Sequence, residues 1–337
     1  MKIKVALYGD NGHMIGHQLE NHAGAELTAT AAVNPLRLSP SQRANSHIRL
    51  YGSLSELLTN KEVELVSLCS PKRLDQADDA IACLRAGKHV YAEKPCAMRE
   101  EDLDRIIEAA RVNNREFHEM TGTAFGQPYL AMRHLVQNQT IGTVVQVLVQ
   151  KSYPSNFASR PQDEAVDGGL LCQVGIHTIR YIEHVAGQKV ESVEAFETGL
   201  GNPGPGNLKM AACFILRLKN GGVASAISNY LNPKGFGKHG NEHLRIFGTL
   251  GFVEAVDGGA RTRLILGDKD CGPIDVSEPS KDYFDYFISA LRGEGSMPLT
   301  LEDELHPTRI VIRAKASAQR CSAGVPPKAA SLTPETA

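Results

Sequence analysis

The chain has no tryptophan, no C-x-x-C pair and no apolar run near the roughly 18 to 20 residues a membrane span needs. The missing tryptophan constrains only the optics. Seven cysteines stand at 69, 83, 96, 172, 213, 271 and 321. An odd, scattered set speaks against a disulfide framework or a thiolate zinc site, and points to reduced thiols in a cytoplasmic protein. Neither charge sign dominates: 36 Lys plus Arg against 38 Asp plus Glu leave a formal charge of −2. Nucleic acid and membrane surfaces therefore gain no electrostatic support as partners. The opening run, Met1 to Gly9, is too short in its apolar part for a signal peptide and ends in a turn. What is present is ordinary for a globular protein, 42% hydrophobic and 22% charged over 337 residues. At roughly 150 residues each, that length predicts about two domains.

The pattern changes along the chain. Short apolar, β-branched runs lie at 3–8, 26–33, 64–69, 89–92 and 116–121, with helix-period segments at 13–22, 74–86 and 100–113. In the last of these Leu103, Ile106, Ile107 and Ala110 follow helical spacing, and acids fill the first turn. Strand and helix in alternation predict a doubly wound parallel sheet over 1–122. Beyond it a helix at 126–138 leads into longer alternating runs at 143–153, 189–199, 209–218, 222–230, 243–247 and 252–256. Turn chemistry such as Asn220-Gly221 separates several of them. Further helices are expected at 169–186, 280–292 and 300–319. Residues 123–337 thus predict an α+β domain with a large, mostly antiparallel sheet, ending in a loosely held tail at 321–337.

The first strand ends in Tyr8-Gly9-Asp10-Asn11-Gly12-His13-Met14-Ile15-Gly16. Strand, glycine-containing turn and helix form the setting in which a dinucleotide pyrophosphate sits on backbone N–H groups. Against G-x-G-x-x-G, Gly9 fits, Asn11 takes the second glycine position and Met14 the third, while Gly12 offers another point of close approach. Asn tolerates left-handed backbone, so the turn can survive. A ligand-free βα turn is the bland alternative. The second strand ends near Val33-Asn34-Pro35, where a carboxylate would bind the ribose of NAD. Asn34 is neutral and Arg37 follows, which favours NADP slightly, unless Arg37 is simply a surface side chain.

Residues 62–97 contain Ser70-Pro71 after an apolar strand, then Ala86-Gly87-Lys88-His89-Val90-Tyr91-Ala92-Glu93-Lys94-Pro95. This A-G-K-H-V-x-x-E-K-P stretch resembles the glucose–fructose oxidoreductase, inositol dehydrogenase and MocA family. The resemblance extends to Ile141-Gly142, Gly175-Ile176-His177 and Ser322-Ala323-Gly324 after the last helix. It implies a nicotinamide-dependent oxidoreductase of sugars, polyols or related small molecules. It also implies a Rossmann domain joined to an α/β domain whose exposed sheet face makes a homo-oligomer, a dimer or tetramer.

Hydride leaves a carbinol carbon only if the hydroxyl proton leaves too. An ammonium can stabilise the developing alkoxide, and an imidazole can carry the proton. Lys94 follows a parallel strand at its carboxyl end, where open α/β sheets place their ligand crevice. By resemblance Pro95 has access to a cis bond, His177 takes the proton-transfer position, and residue 173 is usually Asp. Here it is Gln173, which can orient a substrate hydroxyl but carries no charge. The expected set is Lys94 and His177 for catalysis, with Gln173 beside them. Gly9, Asn11, Gly12, His13, Met14, Asn34, Arg37, Ser70, Pro71, Glu93 and Lys94 would hold NAD or NADP. A cofactor-binding sensor, or a lyase or hydrolase working by transient oxidation, are the alternatives; Asn11, Asn34 and Gln173 motivate the first. His13 with His17, His239 with His243, and Cys172 have bland readings as surface or buried side chains, and no metal is expected. The segment Thr121 to Pro128 lacks the arginine many relatives place before the equivalent proline.

Overall fold

The computed structural model describes residues 1–155 and 160–323. Its first sheet is built from β1 (Ile3–Tyr8), β2 (Ala25–Ala31), β3 (Arg49–Tyr51), β4 (Leu65–Leu68), β5 (His89–Ala92) and β6 (Phe117–Glu119). The order is β3-β2-β1-β4-β5-β6, and every pairing is parallel. β4 is buried along its whole length, as a strand covered on both faces must be. Helices α1 (Pro40–Ala44), α2 (Leu54–Leu58), α3 (Gln76–Arg85) and α4 (Glu100–Val112) belong to this half. On α4 Leu103, Ile106 and Ala110 are buried as the spacing predicts, while Ile107 is only half-buried and Asp102 and Ala109 are buried in addition. The chain order reverses between β1 and β4, so a crevice opens beyond their carboxyl ends.

The second sheet holds β7 (Val144–Ser152), β8 (Val190–Thr198), β9 (Ala211–Leu218), β10 (Val223–Asn229), β11 (Asn241–Gly248), β12 (Gly251–Val256), β13 (Arg261–Leu266) and β14 (Lys269–Gly272). Its order is β14-β13-β12-β11-β7-β10-β9-β8, antiparallel except for the β7–β10 pair. Along β9, Ala212, Phe214, Leu216 and Leu218 are buried while Cys213, Ile215 and Arg217 face outward, the period of two that one covered face demands. The remaining helices are α5 (Tyr129–Gln137), α6 (Glu164–Asp167), α7 (Ile176–Arg180), α8 (Tyr283–Leu291) and α9 (Leu301–Ala323). α7 is flanked without a break by π-wound turns Leu171–Gly175 and Tyr181–Val185. No helix among the described residues is long and apolar enough to cross a membrane.

The sequence expectation fails in several places. Residues 13–22 do not form a helix but a run of turns. The carbonyl of Gly16, which a helix would give to the N–H four residues on, accepts from Gln42 Nε2 at 2.6 Å instead. Asn21 then takes a left-handed φ of 60°, which stops any winding. α9 continues to Ala323, so Ser322 and Ala323 belong to its last turn and not to a tail, while Gly324 and the rest of the expected tail lie outside the described residues. Strands β3, β13 and β14 and helices α1 and α2 were not expected.

A buried polar network joins β6 of the first sheet to α7, α8 and α9. Arg180 and Glu119 are both 0% exposed and form an ion pair. Arg180 Nη1 also donates to the Met120 carbonyl at 2.9 Å. Glu119 further accepts from Thr308 Oγ1 at 2.8 Å and from the Cys96 N–H at 2.7 Å. Next to it Glu304 accepts from Tyr283 Oη at 2.6 Å and the Glu119 N–H at 2.5 Å, and pairs with His118 Nδ1 at 2.7 Å. Burial opposes charge on His118, but Glu304 and Glu116 outweigh it and hold the imidazole up at about 9. Removing one member of a buried pair strands the other, at a cost of about 3–5 kcal/mol. Arg180→Met should therefore destabilise the fold by that order in denaturant melts. The double change Arg180→Met with Glu119→Gln should cost clearly less than Arg180→Met alone.

Candidate active site

Lys94 is the second residue after β5, and the Lys94–Pro95 peptide is cis, as is Gln127–Pro128, which the sequence did not mark. Its side chain is buried, and Nζ donates to the Gln173 carbonyl at 2.8 Å and to Gln173 Oε1 at 2.6 Å. Gln173 in turn donates through Nε2 to the Asp167 carbonyl. The amide at 173 thus holds the ammonium with neutral oxygens. Burial lowers the Lys94 pKa; adjacent Glu93 opposes this, while Arg73, Arg180 and Arg160 add to it, leaving it at about 8. Four residues along, His177 Nδ1 meets Thr123 Oγ1 at 3.1 Å, and its Nε2 is buried with no partner. Burial, then Lys94, Lys151 and Arg180, push this imidazole well below its ordinary value, so it is neutral at physiological pH. Lys94 and His177 line one cavity of about 330 Å³ together with Glu93, Met14 and Tyr283.

The glycine turn lies on the same cavity. Gly9 has φ 71°, and a Cβ there would come within 2.0 Å of the Cys69 carbonyl. At Gly12 a Cβ would meet Glu93 Oε2 at 2.5 Å. Both glycines are required by close approach of the chain itself. The Asn11 and Gly12 N–H groups donate to the carbonyls of Cys69 at 3.3 Å and Asp10 at 3.0 Å. His13 gives its N–H to the Glu93 carboxylate, and its Nδ1 meets the same oxygen at 2.7 Å. Burial alone would raise the Glu93 pKa, but the His13 bond, Lys94 and Arg73 hold it well below the carboxylate range. The next N–H groups, of Met14 and Ile15, find no acceptor among the described residues. Two orphaned donors behind a glycine turn fit an anionic group such as a pyrophosphate, although the helix expected to follow is absent.

The other expected residues divide between support and surface. Asn11 Nδ2 donates to the Val166 carbonyl at 2.8 Å and the Pro71 carbonyl at 3.3 Å, so it fastens the turn to the second half. Buried Ser70 gives its Oγ to Asp79 Oδ2 at 2.7 Å and its N–H to Gln76 Oε1 at 3.3 Å. Asn34 Oδ1 accepts from the Leu36 N–H at 3.0 Å, and Arg37 Nη2 reaches the Gly12 carbonyl at 3.4 Å. Neither lines the cavity.

Several neighbours carried little local signal. Thr123 and Tyr153 touch His177, the latter with ring centroids 6.1 Å apart. Tyr153 lies between His177, His239 and the Lys151–Glu242 ion pair. Asp167 is buried and pairs through Oδ1 with Arg160 Nη1 at 2.7 Å, leaving Oδ2 without a partner. Arg73, fully buried, bonds Gln76 and the Asn11 carbonyl behind the turn. The Thr123–His177, Tyr153–His239 and Arg73–Asn11 contacts join residues far apart in sequence, which no spacing rule reads.

A Rossmann-type sheet, a glycine turn at its switch point and a lysine–histidine cavity against a second sheet define a dinucleotide-linked oxidoreductase. Comparison with known proteins agrees. Residues 4–121 match the oxidoreductase family with an NAD-binding Rossmann fold, and residues 129–254 match the GFO/IDH/MocA C-terminal domain. The chain belongs to the GFO/IDH/MocA family. It is 26% identical to myo-inositol 2-dehydrogenase of Thermotoga maritima over 80% of this chain and 79% of that one. Among solved structures, a Thermotoga maritima oxidoreductase superposes with a TM-score of 0.81 at 27% identity, covering 94% of this chain and 98% of the other. The WlbA dehydrogenase of Bordetella pertussis, in complex with NADH and UDP-GlcNAcA, shares the fold with a TM-score of 0.79 at 20% identity, over 95% and 98%.

The geometry makes a measurable statement about Lys94. A carboxylate at position 173 would favour the ammonium where the amide supplies only dipoles, by about 1–3 pKa units. Gln173→Asp should raise the Lys94 pKa above its value near 8, and Gln173→Leu should lower it. The pH dependence of amine-directed labelling at Lys94 in the apoprotein reads both shifts.

Proposed function

We propose that this protein transfers hydride between a nicotinamide dinucleotide, NAD or NADP, and a hydroxyl-bearing carbon of a polyol, sugar or related small molecule. The observation that carries this reading is the unpartnered His177 Nε2 in the same cavity as the Lys94 ammonium, beside the glycine turn. The relative named for myo-inositol supports the polyol class.

The backbone from Gly9 to Ile15, with Arg37 reaching the Gly12 carbonyl, would hold the pyrophosphate, Asn34 would flank the adenosine end, and the Lys94 cavity would receive the reacting end and substrate. The bound dinucleotide supplies the hydride acceptor or donor. The chain's own groups handle the proton and the charge. In the tautomer whose Nδ1–H donates to Thr123 Oγ1, His177 Nε2 keeps its lone pair and takes the hydroxyl proton of an alcohol. Its depressed basicity lets it return that proton readily in the reverse direction. The Lys94 ammonium, buried and pre-oriented by Gln173, stabilises the alkoxide oxygen. Gln173 is already committed to Lys94 and the Asp167 carbonyl, so it positions the ammonium first and touches substrate only secondarily.

The partner expected beyond substrate is a second copy of the chain. On the outward face of the second sheet Leu148, Val223, Ile227, Ile215 and Phe196 are between 40% and 68% exposed on the adjacent strands β7, β10, β9 and β8. An apolar patch of that breadth favours association. All seven cysteines are unpaired, in keeping with a cytoplasmic setting.

Fluorescence titration should show saturable binding of reduced nicotinamide dinucleotide, with no tryptophan to confuse the signal. Lys94→Ala should leave that affinity within a few-fold while reducing turnover on an active polyol by about 100-fold or more. His177→Ala should behave alike; unchanged rates in it would remove the proton-transfer role. Binding without turnover across a polyol panel would favour a sensor. Because Lys94 acts as the cation, turnover should fall as pH rises through about 8. Separately, Ile215→Glu should shift the sedimentation profile to monomer.

A further inference from the structure

Asn34 and Arg37 together favour a 2′-phosphate on sequence grounds, but the side chains are used otherwise. Asn34 Oδ1 caps the following 3-10 turn, accepting from the Leu36 N–H. Its own backbone N–H donates to Asp10 Oδ2 at 3.1 Å. Asp10 follows Gly9, whose N–H is tied to the Ala31 carbonyl at the end of β2 at 3.0 Å. A carboxylate therefore stands at the carboxyl end of β2 after all, supplied by the end of β1. Arg37 does not neutralise it. Among the described residues no ion pair joins the two, and the guanidinium reaches the Gly12 carbonyl over the glycine turn.

We propose that Asp10 is the residue that selects between the two nicotinamide dinucleotides in this chain, and that it selects NAD. The inference rests on the dinucleotide function proposed above. A ribose diol offers two O–H donors, and a carboxylate with only one bond to Asn34 keeps the lone pairs to accept them. A 2′-phosphate offers acceptors and a further charge of roughly −1.5 to −2 in their place. Near a partly exposed carboxylate that charge costs about tenfold in affinity or more. Arg37, bonded to the Gly12 carbonyl and not paired with Asp10, serves the pyrophosphate charge common to both dinucleotides.

The test is binding of NADH and NADPH to the full chain by nicotinamide fluorescence, with melting curves as the folding control. The wild type should bind NADH at least about tenfold tighter. Asp10→Asn keeps an acceptor for the Asn34 N–H and loses the charge; it should narrow the preference about tenfold, mainly by tightening NADPH. Asp10→Ser should do the same, so the readout does not hang on one variant. Arg37→Gln should weaken both nucleotides alike and leave their ratio unchanged. A wild type that prefers NADPH, an unchanged ratio in both Asp10 variants, or a selective loss of NADPH in Arg37→Gln would overturn the assignment while leaving the dinucleotide function standing. Binding of neither nucleotide would overturn both.

Discussion

A guanidinium and a carboxylate that have both lost their water must stay together, because each alone is far costlier than the pair. Arg180 and Glu119 are in that position, and their place in the chain gives the pair its reach. Glu119 ends β6 of the first sheet, and Arg180 ends α7, which begins one residue before His177. The pair therefore fixes where the second half's helix meets the first half's strand ends. Glu119 also receives the Cys96 N–H, two residues beyond Lys94, so the turn bearing the lysine is fastened to the same carboxylate. Thr308 and Glu304 bring α9 to this point as well. One charge thus orients lysine, histidine and the last helix against one another.

The cations around Lys94 explain why an amide can stand at position 173. Arg73, Arg180 and Arg160 all disfavour the ammonium, and Glu93 alone among the strong contributors favours it. An ammonium near neutrality is still mostly charged at physiological pH, and it is held by a carbonyl and an amide oxygen whose positions are set by Asp167 and the helix. A carboxylate at 173 would make the lysine a more stable cation. It would also partly neutralise the charge that must meet a developing alkoxide. The amide trades electrostatic support for an unneutralised cation.

Much of this was legible in the sequence because it rests on local regularities. β1 and β5 have the bounds their apolar runs give, and the period of two along residues 209–218 exposes the outward face of β9. Lys94 and His177 were legible through the A-G-K-H-V-x-x-E-K-P stretch and the helix at 169–186. The failures share a cause, which is that a remote side chain decides a local conformation. Gln42 takes the Gly16 carbonyl and the helix at 13–22 never forms. Asp10 and Asn34 meet across two strands, and no motif anticipates that a carboxylate at the end of β1 will serve β2. β13 escaped notice because its residues are half-exposed and charged at alternate positions, Arg261 and Arg263, beyond a glycine-rich turn. Thr123 lies in an irregular segment whose only sequence signal was a missing arginine.

Glu93 links the two ends of the site. Its Oε1 accepts the N–H of Lys94 at 2.9 Å, and its Oε2 takes both the N–H and the imidazole of His13 in the glycine turn. The buried carboxylate is therefore shared by the segment that would meet a pyrophosphate and the residue that would meet an alkoxide. A second anion brought to the Met14 and Ile15 N–H groups would be repelled by this buried carboxylate. Arg73, behind the turn, and Arg37, over it, offset that repulsion with positive charge on either side. Both guanidiniums bond carbonyls of the turn, Arg73 that of Asn11 and Arg37 that of Gly12, so positive charge stands beside a turn that no helix follows. Glu93 therefore makes the charge balance of the turn and the charge state of Lys94 parts of one electrostatic unit.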